Sequence, residues 1–174
     1  AIVAAGCAAT TAAAAAFPCT YTTAAGKTYD FSSLIATNGS YTWTQESYQT
    51  TGYTTFTTTP GDAVTYTYEL QVCGDVTKSA FSACTEPSPL NRISADGKTC
   101  NKLGNMAVAM WSENPFKDGA YLSMWGGDDV DHVHKYQSRV YFQCNANATE
   151  PRPYFEHESD YYQSHIKFYT TLAC

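Results

Sequence analysis

Seven cysteines, at positions 7, 19, 73, 84, 100, 144 and 174, constrain this chain more than any other feature. No two stand as Cys-x-x-Cys, the spacing expected of zinc and dithiol redox sites, so those chemistries are set aside. Cysteines spread this widely in a chain rich in Tyr and Thr read as disulfides, which persist in oxidising compartments. Two acceptor sites for N-linked glycan, Asn38-Gly39-Ser40 and Asn147-Ala148-Thr149, agree with that. The expectation is a secreted or lumenal glycoprotein carrying covalent glycans.

A length of 174 residues suits one domain, and 44% hydrophobic content allows a core. The net charge of −6 argues against nucleic acid or an anionic membrane surface as partner, since both require clustered Lys and Arg. Residues 1–17 carry no charge, but Ala and Thr dominate them, and a membrane span needs about 20 residues of stronger hydrophobicity. No basic region precedes them, so they do not read as an intact signal peptide; the chain reads as a mature one. They read as an irregular arm, because an alanine tract this short does not hold a helix in water beyond one brief turn.

From Cys19 onward the periodicity is that of strands. Tyr66, Tyr68, Leu70 and Val72 alternate with Thr67, Glu69 and Gln71, predicting one buried and one wet face. Val140 and Phe142 alternate before Cys144; Ile166, Phe168 and Leu172 alternate with Lys167, Tyr169 and Thr171 before Cys174. Turn signals separate these runs at Asn38-Gly39, Pro60-Gly61, Asp96-Gly97, Gly126-Gly127 and residues 151–153. Residues 50–60 hold seven threonines, a composition that suits an exposed strand and a cluster of O-linked glycans alike.

Several segments, taken in order, resemble the mannose 6-phosphate receptor homology domain. They are Gly26-Lys27-Thr28-Tyr29-Asp30-Phe31-Ser32-Ser33-Leu34, Val72-Cys73-Gly74, Ala83-Cys84, Leu103-Gly104, Leu122-Ser123-Met124-Trp125-Gly126-Gly127-Asp128, Val140-Tyr141-Phe142-Gln143-Cys144, and the closing Thr170, Ala173 and Cys174. The likeness implies an all-β, disulfide-stapled fold: a flattened β-barrel, or two packed antiparallel sheets, over residues 19–174, with residues 1–18 as the arm. It implies bridges Cys19–Cys73 and Cys144–Cys174, leaving Cys84 with Cys100 as the natural remaining pair. One family disulfide is missing as a unit, its positions falling at His134 and Tyr162. Cys7 is left over; it reads as a free thiol, as a rival to Cys19 for Cys73, or as the site of an intermolecular disulfide.

The resemblance also implies a mannose pocket of four polar residues, and there this chain departs from the pattern. The family's Gln position is Thr85, its Arg position Tyr136 and its Tyr position Ser164; only Glu158 keeps its type. Arg139 is near, but an odd offset along a strand places it on the other face. One carboxylate does not rebuild a sugar clamp, so the expectation is a degenerate lectin site.

Asp128, Asp129, Asp131, His132 and His134 form an acidic, His-bearing run, and Asp131 best matches a family residue near a divalent cation. A solvated turn is the favoured reading, with no cofactor, because neither an EF-hand nor a metalloprotease spacing is present. No hydrolase or phosphate-binding motif occurs. Glu156, Glu158 and Asp160 would share one wet face of a regular strand.

The composite expectation is a non-enzymatic extracellular glycoprotein, a structural subunit that assembles with copies of itself through its arm into a filament or surface coat. The alternative is a glycan-binding sorting receptor or lumenal lectin whose pocket is rebuilt from Glu158, Arg139 and residues 128–134.

Overall fold

A computed structural model describes residues 17–48, 63–115, 117–159 and 161–174. Residues 1–16 with Cys7, the Thr-rich stretch, Pro60-Gly61 and Asp160 lie outside the described residues. β1 (Thr20–Thr22) and β2 (Thr28–Asp30) form a small hairpin. β3 (Tyr41–Tyr48), β4 (Ala63–Leu70), β5 (Leu90–Ser94) and β6 (Cys100–Lys102) make a four-stranded sheet in that order. β7 (Met110–Glu113), β8 (Gly119–Met124), β9 (Gln137–Cys144), β10 (Arg152–Ser159) and β11 (Gln163–Thr170) make a second sheet in the order β10-β11-β9-β8-β7. Among the described residues the two larger sheets pack on each other without closing into a barrel. Pairing is antiparallel except that β11 runs parallel to β9, filling the gap between β9 and the edge strand β10. No described helix is long and apolar enough to cross a membrane.

The core follows the predicted alternation. Val140 and Phe142 of β9, Ile166 and Phe168 of β11, and Tyr68 and Leu70 of β4 are buried. Tyr68 stacks on Phe155 at 5.1 Å and Tyr41 meets Phe168 edge-on at 5.2 Å, joining the two sheets. Phe31, just after the β1–β2 hairpin, stacks on Phe142 at 4.4 Å and on Trp111 at 5.2 Å, which ties the hairpin to the larger sheet. Each such side chain contributes about 1.5–3 kcal/mol through burial. Phe17 also packs near Trp111, whose indole N–H donates to the Pro18 carbonyl at 2.8 Å.

Three departures from the simple pattern have local causes. Glu69 was expected on a wet face but is 1% exposed: residues 79–80 fold over it, Ser79 Oγ donating at 2.5 Å and the Ala80 N–H at 3.1 Å. Leu172 is exposed, because β11 ends at Thr170 and a short 3-10 turn follows. Pro153, read as part of a turn, lies within β10; an edge strand tolerates the missing N–H.

The disulfides are Cys19–Cys73, Cys84–Cys100 and Cys144–Cys174, closing separations of 54, 16 and 30 residues. Six of the seven cysteines in these 174 residues are thereby used, and Cys7 lies outside the described residues. Where the resemblance places the missing bridge, His134 and Tyr162 face each other with ring centroids 5.7 Å apart. An aromatic contact stands in for the covalent one.

Candidate functional site

The site is organised by an irregularity in β10. Its pairing with β11 is regular from Arg152↔Tyr169 to Phe155↔Ile166, then resumes at His157↔His165, so Glu156 is an extra residue: a β-bulge. Phe155 and Glu158 therefore both face the other sheet, whereas Glu156 and His157 lie on the outer side, where Glu156 pairs with Lys167 and His157 stacks on His165. The expectation that Glu156 and Glu158 share a face is thus corrected, since the bulge resets the two-residue period between them.

Gln45 of β3 holds the bulge in place. Its amide donates to the Phe155 carbonyl at 2.5 Å and accepts from the Phe155 N–H at 3.0 Å, satisfying two backbone groups and linking the sheets. Gln45→Ala should cost about 1–3 kcal/mol, the usual penalty for orphaned polar groups. Urea unfolding measures this; an unchanged midpoint would remove Gln45 from the account of the bulge.

On the inner side Glu158 meets Arg92 of β5, Nη1 to Oε2 at 2.6 Å, with side chains only 11% and 3% exposed. The guanidinium lies between two rings, 4.9 Å from the Tyr66 centroid and 4.7 Å from that of Tyr136. Burial works against the Arg92 charge, but the Glu158 carboxylate and the neighbouring phenols outweigh it and hold its pKa above the ordinary value. Burial likewise raises Tyr136, with Arg92 opposing and Glu158 assisting. Ser164, directly across from Glu158, is fully buried, and its Oγ has no hydrogen-bond partner among the described residues; the same is true of Ser138 Oγ, level with it on β9. The arrangement is a buried charge pair clamped by aromatics, with little carboxylate surface left for an outside hydroxyl.

Of the four positions matching the family's sugar ligands, Tyr136 and Glu158 meet Arg92, and Ser164 lies across from Glu158. Thr85 is apart from them: it is exposed and lines a separate cleft of about 200 Å³ with Glu86, Lys102 and Asp128. There Lys102 pairs with Glu86 and, at 3.5 Å, with Asp128. Arg139 is on the outer face, its guanidinium 5.6 Å from the Tyr121 centroid. Arg139 and Glu158 therefore point away from each other, and a pocket rebuilt from them with residues 128–134 does not converge. Sequence patterning does not single out Arg92. Its one signal there is a cation inside the apolar run Leu90-Asn91-Arg92-Ile93, which requires a buried counter-charge.

Asp131 is engaged in its own turn. Its Oδ1 accepts from the Val133 and His134 N–H groups, both at 2.7 Å, and the His134 ring lies 2.9 Å from Oδ2. The hydrogen bond from the His134 side chain, then those from the two backbone groups, lower its pKa to about 2. Among the described residues no three His, Cys, Asp or Glu side chains are grouped to hold a metal ion. Asn38 and Asn147 both lie on exposed turns, where an acceptor for glycan must be.

No family model matches the sequence. No curated protein matches it either. Solved structures do match. The chain is similar to domain 11 of chicken IGF2R at 20% identity, TM-score 0.59, over 90% of each chain. It is also similar to domain 11 of the echidna mannose 6-phosphate/IGF2R receptor at 18% identity, TM-score 0.51, over 90% of this chain and 94% of that one. With this likeness, and with two disulfides where the resemblance implies them and the third joining the remaining pair, the chain has the fold of the mannose 6-phosphate receptor homology domain.

Proposed function

We propose that this chain is a non-enzymatic, secreted or lumenal glycoprotein that keeps a lectin fold with its sugar pocket closed and serves as a structural, self-assembling subunit. The observation that carries the reading is the Arg92–Glu158 pair, which commits the one retained sugar-ligand residue to an internal partner. Two further features support it. The other six cysteines of these 174 residues are paired with one another, and a disulfide from Cys7 to a second copy would link subunits covalently. The uncharged arm of residues 1–16 suits addition to a neighbour's sheet edge or groove, a contact that repeats into a filament when it does not close.

Sedimentation of the native glycoprotein tests this, run beside non-reducing electrophoresis and a mannose column. The full chain should sediment as an assembly, give a ladder that collapses with reductant and pass the column unretained. Deletion of residues 1–16 should yield monomer. A monomeric full chain would end the assembly reading, and retention on mannose would end the closed-pocket reading.

A further inference from the structure

The outer face of the five-stranded sheet carries a second polar constellation that the proposed role does not use. The bulge that turns Glu158 inward leaves His157 outward, directly across from His165, with ring centroids 4.3 Å apart and planes 12° from parallel. His165 continues onto Tyr141 at 5.7 Å, and Tyr141 onto Tyr121 at 5.4 Å, so four rings from four adjacent strands form one ribbon. The Tyr141 hydroxyl lies 3.2 Å from His165 Nδ1. Alongside this ribbon, against His157, His165 and Tyr141, a cleft of about 350 Å³ opens between the sheet and the β7–β8 connection, within the size range of small-ligand sites.

The walls of the cleft have unfilled requirements. Gln143, 6% exposed, has an Oε1 with no hydrogen-bond donor among the described residues. A buried amide oxygen left this way costs free energy that a ligand hydroxyl would recover. Lys117, exposed at the rim, makes no ion pair among the described residues, while across the cleft Lys167 is held by Glu156. His165 is kept neutral: burial first, then His157 and Arg139, lower its pKa to about 4 against the opposing pull of Glu156. A neutral imidazole both donates and accepts, which suits hydroxyl groups.

We infer that this cleft binds an acidic monosaccharide unit, a pyranose bearing one carboxylate. The carboxylate meets Lys117, a ring hydroxyl donates to Gln143 Oε1, and further hydroxyls meet the edges of His157 and His165. A neutral hexose satisfies the amide but not the ammonium; a simple carboxylate does the reverse. The site is on the opposite face of the sheet from the Arg92–Glu158 pair and stands independently of whether that pocket is closed.

Sodium glucuronate is the probe, with mannose and sodium acetate as its two halves, titrated into the isotopically labelled glycoprotein and followed by NMR. Saturable shifts at Lys117, Tyr141, Gln143, His157 and His165 are expected, with glucuronate at least tenfold tighter than either control. Lys117→Ala and Gln143→Met should each weaken glucuronate at least fivefold. Lys117 is exposed, so its variant folds whatever Gln143 contributes to stability. Equal response to mannose or to acetate, the absence of saturation, or an unchanged affinity in Lys117→Ala would each overturn the assignment.

Discussion

Arg92→Met is expected to destabilise this domain by about 3–5 kcal/mol, because it leaves the Glu158 carboxylate buried without its counter-charge. Much of that loss should return when Glu158→Leu is added, since replacing both members of a buried pair with apolar groups is commonly neutral or stabilising. Guanidinium unfolding of the two single variants and the double variant reads the coupling directly, provided the denaturant slope stays constant. Additive losses would mean that the two side chains do not depend on each other. The aromatic clamp explains why the pair is tolerated at all: Tyr66 and Tyr136 supply ring faces where the guanidinium would otherwise meet hydrocarbon.

Gly119→Ala should be at least as damaging, above about 4 kcal/mol, and the yield of folded protein should fall to near nothing. Gly119 has φ +127, and a Cβ added there would lie 2.0 Å from the Phe142 carbonyl oxygen. That oxygen is backbone in the middle of the sheet and has no room to retreat. Its N–H also donates to the Tyr29 hydroxyl at 3.2 Å, so displacement would break a buried link to the hairpin. Gly126→Ala is the matched control: φ is +71, but nothing comes nearer than 3.7 Å, so only the backbone preference is lost, about 1 kcal/mol. Thermal melting of the two variants separates the effects, and equal losses would show that steric blockage at Gly119 has been overstated.

Much of the scaffold is readable in the sequence because one simple periodicity and the cysteine positions carry it. Inward Val140, Phe142, Ile166 and Phe168 follow from alternation alone, and the cysteine positions gave the bridges once the motif order was matched. The site resisted for a different reason. A bulge is an insertion in register, visible only against the partner strand, and nothing within β10 marks Glu156 as the extra residue. Arg92 was hidden because its partner is far away in sequence and on the other sheet. The burial of Glu69 depends on a loop folding back over it, which no local pattern records. Gly119 shows the same limit: its constraint comes from Phe142, a residue that sequence order places well downstream.

The parallel placement of β11 has a consequence for biogenesis. This strand sits between β9 and the edge strand β10, so a slot beside that edge stays open until the final described strand leaves the ribosome. Vectorial synthesis can therefore complete the β3–β6 half early, while the second half waits with an unfilled slot flanked by two sticky borders. Chaperone engagement and oxidation of the 144–174 bridge belong to that late interval, and a ribosome stalled before residue 163 should display a nascent chain that is structured at its front and protease-sensitive behind.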